Sequence, residues 1–73
     1  MNVIITEHAK KRLKDSRQEG ITITDIVNAA NSIPGKITTA TRLRSFFTST
    51  GRMFDIVVRD IPSGRLVITV IGK

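Results

Sequence analysis

At Pro34-Gly35 the spacing of apolar residues changes from three-and-four to two, and the switch divides the chain into a helical part and a strand part. The stretch before it, ITITDIVNAANSIPG, carries strong helix punctuation. With Thr22 as N-cap, Asp25 stands at the third helical position as the acidic half of a capping box, and Ile21 and Ile26 are placed for a hydrophobic staple. Ile23, Ile26, Val27 and Ala30 then form the expected buried stripe, and Pro34 with Gly35 stops the helix.

A first helix is expected upstream. Thr6 is its cap, Ile5, Ala9, Leu13 and Ser16 share one face, and Gly20 is its stop. His8, Arg12, Asp15 and Glu19 follow one another at three- or four-residue steps on the neighbouring face, while Lys10, Lys11, Lys14 and Arg17 cover much of the rest.

Beyond Gly35, four segments carry strand character: residues 36–40, 42–48, 52–60 and 65–71. The turn segments STG and IPSG separate the last three, with Gly51 and Gly64 free to take positive φ. The expected fold is α+β: two N-terminal helices packed on one face of a three- to four-stranded antiparallel sheet, an ααββββ meander. Phe54, Ile56, Val58, Leu66, Ile68 and Val70 are assigned to the face beneath the helices. The other face, with Met53, Asp55, Val57, Arg59, Val67, Thr69 and Ile71, is more apolar than a plain solvent surface, so a partner or simple β propensity accounts for it.

Seventy-three residues make one domain, 1–73, with one small core. There is no cysteine for a disulfide or thiolate site, and one histidine with six scattered acids makes no ligand cluster, so neither metal nor cofactor is expected. A homodimer would add burial to so small a core. The start MNVIITEHAKK lacks the basic-then-apolar order of a signal peptide, and no apolar run approaches the length of a membrane span. A soluble, cytoplasmic protein without a membrane partner is expected.

Twelve Lys and Arg against six Asp and Glu give a net charge of +6, which suits a polyanion such as nucleic acid. No glycine-rich phosphate loop, metalloprotease helix or nucleophile elbow is present, which excludes the dinucleotide-binding and Walker-type classes.

The order His8-Ala9-x-x-Arg12-Leu13, then Gly20-Ile21-Thr22 with Asp25-Ile26, then the Pro-Gly stop, then Arg65-Leu66-Val67-Ile68-Thr69-Val70, resembles a small bacterial and phage family of domains of unknown function. That family is similar to the RelE and BrnT toxins and the wider group of metal-independent ribonuclease folds. The resemblance spans nearly the whole chain. It implies a toxin-like, ribonuclease-related scaffold, RNA as partner, and a protein partner of the antitoxin kind. Carried over position by position, its polar signature falls on His8, Arg12 and Arg65 as catalytic candidates. The segment SRQE at 16–19 lengthens the first helix relative to the family, and no Tyr or Trp is present to stack on a base.

Metal-free RNA cleavage needs a base for the ribose hydroxyl, an acid for the leaving oxygen and a cation for the phosphate. His8 can supply one proton-transfer role, because imidazole titrates near neutrality. Arg12 or Arg65 can grip a phosphate through paired donors. The second proton-transfer role falls to Glu7, Glu19, Asp55 or a lysine, none marked by a motif. In the competing structural reading, His8 packs on the sheet edge and Arg12 pairs with Asp15 or Glu19. Lys10, Lys11, Lys14 and Arg17 form a solvated face by themselves, and with Arg42, Arg44 and Arg52 a shared basic surface for nucleic acid. The alternative function is a non-catalytic binding or regulatory module of phage or prophage origin, or a homodimer without any nucleic-acid role.

Overall fold

The computed structural model describes residues 2–73. Strand β1 (Val3–Ile5) leads into helix α1 (Glu7–Leu13), a 3-10 turn (Ser16–Gln18), helix α2 (Ile23–Ser32) and strands β2 (Thr41–Phe47), β3 (Met53–Ile61) and β4 (Gly64–Gly72). The strands form one sheet in the order β1-β4-β3-β2. The α+β class with helices on one sheet face is as expected, but the sheet is mixed and not an antiparallel meander. β1 runs parallel to β4, with Val3 opposite Arg65 and Ile5 opposite Val67. Three apolar residues are too few for alternation to reveal a strand, and the partner of β1 lies at the far end of the sequence.

Residues 36–40, expected as a strand, form none. Only Ile37 joins β3 there: its carbonyl accepts from Asp60 N at 2.7 Å, and its N–H donates to Asp60 Oδ2 at 2.8 Å. A side chain completes the exchange that a continuing ladder would have made.

The first helix is shorter than its apolar spacing predicts. Asp15 accepts from Arg17 N at 3.0 Å and starts a separate 3-10 turn, because a short acidic side chain offers the backbone a local partner outside the helix. The capping box of α2 is formed as expected, with Thr22 Oγ1 accepting from Asp25 N at 3.1 Å and Asp25 Oδ2 accepting from Thr22 N at 3.0 Å; such a cap is worth about 1 kcal/mol. Ile21 and Ile26 are both buried, but the stripe turns through Ala29 and Ala30, and Ile23 is 45% exposed.

The outer strand faces also differ from strict alternation. Val57 pairs with Thr69 and Val58 with Val67, which leaves Ile68 as an inserted residue. A bulge of this kind reverses which side chains point inward beyond it. Val67 and Arg65 therefore enter the helix side, where both are buried, while Leu66 and Ile68 are only partly covered on the opposite face. Phe54, Ile56, Val58 and Val70 complete the sheet's share of the core.

Beyond Ile5, β4 has no strand on that side among the described residues, and the α1 region closes its edge with side chains. Thr6 Oγ1 donates to Ile68 O at 2.8 Å, Arg12 Nε to Val70 O at 2.8 Å, and Gly72 N to Gln18 Oε1 at 2.5 Å. An edge so occupied cannot template another strand.

Candidate nucleic-acid interface

His8 and Arg12 lie about 40° apart around α1 and form one small surface. His8 is exposed. Arg12 is held at the sheet edge by its bond to Val70 O and does not pair with Asp15. Asp15 is instead engaged by Arg17, whose Nη2 lies 3.1 Å from Oδ2, and this bond holds the carboxyl below the usual carboxylate range.

Arg65 is not part of that surface. Its side chain is fully buried, and its five guanidinium N–H groups have five acceptors: Asp60 Oδ1 at 2.6 Å, Asp60 Oδ2 at 2.9 Å, Ala30 O at 2.8 Å, Ile33 O at 2.9 Å and Gly35 O at 2.9 Å. It closes the C-terminal end of α2, where carbonyls lack helical partners. Arg65 and Val70, which anchors Arg12, are five residues apart on β4, or about 17 Å. No donor of Arg65 remains for a phosphate, so the expected catalytic role is replaced by a structural one. The bulge at Ile68 hid this, because strict alternation puts Arg65 on the outer face.

The lysines of α1 surround a cleft of about 510 Å³ between α1 and the start of α2, lined by Glu7, Lys10, Lys11, Lys14, Leu13 and Ile23. Leu13 and exposed Ile23 give it an apolar floor, and Lys10 is tied to Glu7 by a solvent-exposed pair at 3.4 Å. Exposed pairs of this kind are worth under about 1 kcal/mol and exchange readily for another anion.

The remaining basic residues stand elsewhere. Arg52 donates to the carbonyls of Arg17 and Glu19 and fastens the 3-10 turn to the start of β3. Arg42 and Arg44 are on β2, two strands or about 10 Å from β4 and on the side away from α1. The expected single basic surface is thus two separate ones.

Asp55, one of the candidates for the second proton-transfer role, stands within the apolar run MFDIVV. Asp55 is fully buried and, alternating with the core residues Phe54 and Ile56, lies on the sheet face opposite the helices. Burial raises its carboxyl, but the Ser45 N–H, Lys73 and Arg42 overcome that effect and lower it to about 2. Asp60 is also lowered to about 2, chiefly by Arg65 and then by the Ile37 N–H.

Both groups titrate below the unfolded value near 3.9, so they bind fewer protons in the fold than in the unfolded chain. Their contribution to stability is complete above about pH 4 and is lost as pH falls toward about 2. The urea midpoint should therefore drop across that window; a midpoint unchanged down to pH 2 would contradict these contacts.

A second cleft, of about 360 Å³, lies between α2 and β2 and includes Asn28, Ser32, Phe47 and Asp25. Asp25 there is occupied by Thr22 and by Ser49 N at 3.3 Å, so the cleft offers no free titratable group among the described residues. None of these residues forms a metal-binding cluster, and no helix is long and apolar enough to cross a membrane, again among the described residues. No family model, curated protein or solved structure matches the chain.

Proposed function

We propose that the domain binds RNA in the cytoplasm through the lysine-lined cleft of α1, on a scaffold of the toxin-like, ribonuclease-related kind. The observation that carries this reading is the pairing of Lys10, Lys11 and Lys14 with the apolar floor of Leu13 and Ile23 in a chain of net charge +6. Cations neutralise phosphates, and an apolar floor accepts the flat face of a ribose or base. The resemblance around His8-Ala9-x-x-Arg12-Leu13 favours RNA over other polyanions.

Binding is better supported than cleavage. Arg65 is committed to α2, and of the polar signature only His8 and Arg12 stay together on α1. The test is anisotropy of labelled RNA with the purified protein, run beside a cleavage assay with and without EDTA. His8→Ala should leave binding within about twofold, and any metal-independent cleavage observed should fall by about two to four orders of magnitude. Unchanged cleavage in His8→Ala would remove His8 from chemistry, and absent binding at low salt would sink the reading.

The alternative, a module that meets an antitoxin-like protein or a second copy of itself, draws on Ile4, Val57, Leu66 and Ile71, which stay partly exposed on the open sheet face. Sedimentation as a monomer at high micromolar concentration would count against self-association.

A further inference from the structure

Asp55 poses a physical problem that the α1 cleft does not address. Its carboxylate is fully buried beneath the open face of the sheet. A buried charge is tolerated only when it is paired and hydrogen-bonded, and replacing such a group with a hydrophobe is often neutral or stabilising. Stability alone therefore gives no reason for an aspartate at this point of a strand.

The surroundings are built around it. Arg42 donates to Oδ2 through Nε at 2.9 Å, with Nη2 2.8 Å away, and Lys73 Nζ lies 3.0 Å from Oδ1. Ser45 N donates to Oδ1 at 2.9 Å. That last contact depends on the irregularity of β2 between Leu43 and Phe46, where Ser45 takes a φ of 68°, a left-handed conformation disfavoured for a residue with a side chain.

The outcome is two cationic heads fixed in place while still open to solvent. The Arg42 side chain is 40% exposed and that of Lys73 is 29% exposed. A guanidinium has five N–H donors and an ammonium three. Arg42 spends its Nε hydrogen on Asp55, while its Nη2 and Lys73 Nζ approach the carboxylate as ion pairs, so donors of both heads remain for a ligand. The cluster of two cations and one anion carries a net charge of +1, and its cations need little further ordering to meet a ligand.

We propose that Arg42 and Lys73, positioned by buried Asp55, form a phosphate-binding site on the open face of the sheet, taking a phosphomonoester or a backbone phosphodiester. Planar paired donors suit phosphate oxygens, and the second cation closes on the same group. The site is independent of RNA binding at α1, which lies beyond the opposite edge of β4.

The experiment is an NMR titration of the full chain, following Arg42 Nε and the Lys73 side chain. One arm uses inorganic phosphate and the other a short RNA trinucleotide without terminal phosphates. Saturable shifts with phosphate alone assign the site to monoesters, and shifts with both assign it to backbone phosphate; either result supports the proposal. Lys73→Gln and Arg42→Lys should each weaken binding about tenfold or more, the effect of losing a charge-assisted hydrogen bond. Asp55→Asn raises the local charge by one, so simple attraction would tighten binding, whereas loss of positioning weakens it. The proposal is overturned if neither ligand shifts these signals, if Lys73→Gln and Arg42→Lys bind as the wild type does, or if a folded Asp55→Asn binds more tightly.

Discussion

Arg65→Met should destabilise the domain by about 3–5 kcal/mol, the range for breaking a buried ion pair by removing one partner. The substitution leaves Asp60 without its main counter-charge and strips donors from the carbonyls of Ala30, Ile33 and Gly35 together. At roughly 0.05–0.15 kcal/mol per residue, a chain of this length has only about 4–11 kcal/mol to lose, so the variant should forfeit a large share of its stability and, at the low end of that range, unfold at ambient temperature. Arg65→Lys should recover little, since an ammonium has three donors for five acceptors and no planar fork. Urea unfolding followed by circular dichroism measures both variants. A loss below about 1 kcal/mol for Arg65→Met would mean that the α2 terminus is held by something else.

The second large effect concerns the α1 cleft. Converting Lys10, Lys11 and Lys14 together to glutamine should weaken single-stranded RNA binding by about 10²–10³ at 50 mM salt, the gain that three released counterions supply there. All three are exposed or partly paired surface residues, so stability should move by less than about 0.5 kcal/mol each. The charge-retaining triple arginine variant should bind about as tightly as the wild type, which separates charge from a lysine-specific role. Full affinity in the glutamine variant would place the interface elsewhere.

The contrast between these two groups of residues reflects what local sequence encodes. The α2 start was readable because a capping box and a staple are made by residues three to five positions apart, and Thr22, Asp25, Ile21 and Ile26 all behave accordingly. The two hairpins were readable from turn chemistry, with Gly51 and Gly64 both at positive φ. What escaped was set by distant partners. β1 is a strand because β4 offers it an edge, and Arg12 is a sheet-edge donor because Val70 O lies beside α1.

Bulges account for the misread site. One inserted residue at Ile68 moved Arg65 from an expected outer position into the interior, and the irregularity at Ser45 brought a backbone donor to Asp55. Neither bulge contains a glycine, so neither has the usual sequence mark. The lysines of α1 were legible as a basic face, but their separation from Arg42 and Arg44 follows from the order of strands in the sheet.

The central claim, that α1 presents a phosphate-binding face to RNA, is tested most directly by the salt dependence of affinity. Each phosphate contact on single-stranded nucleic acid adds roughly 0.7 to the negative slope of log affinity against log salt. For the wild type, binding carried by Lys10, Lys11 and Lys14 alone gives a slope near −2 and an affinity loss of about 20-fold between 50 and 200 mM salt. The triple glutamine variant should show that slope reduced by about 2 units. Equal slopes in wild type and variant, or wild-type binding indifferent to salt, would contradict the account.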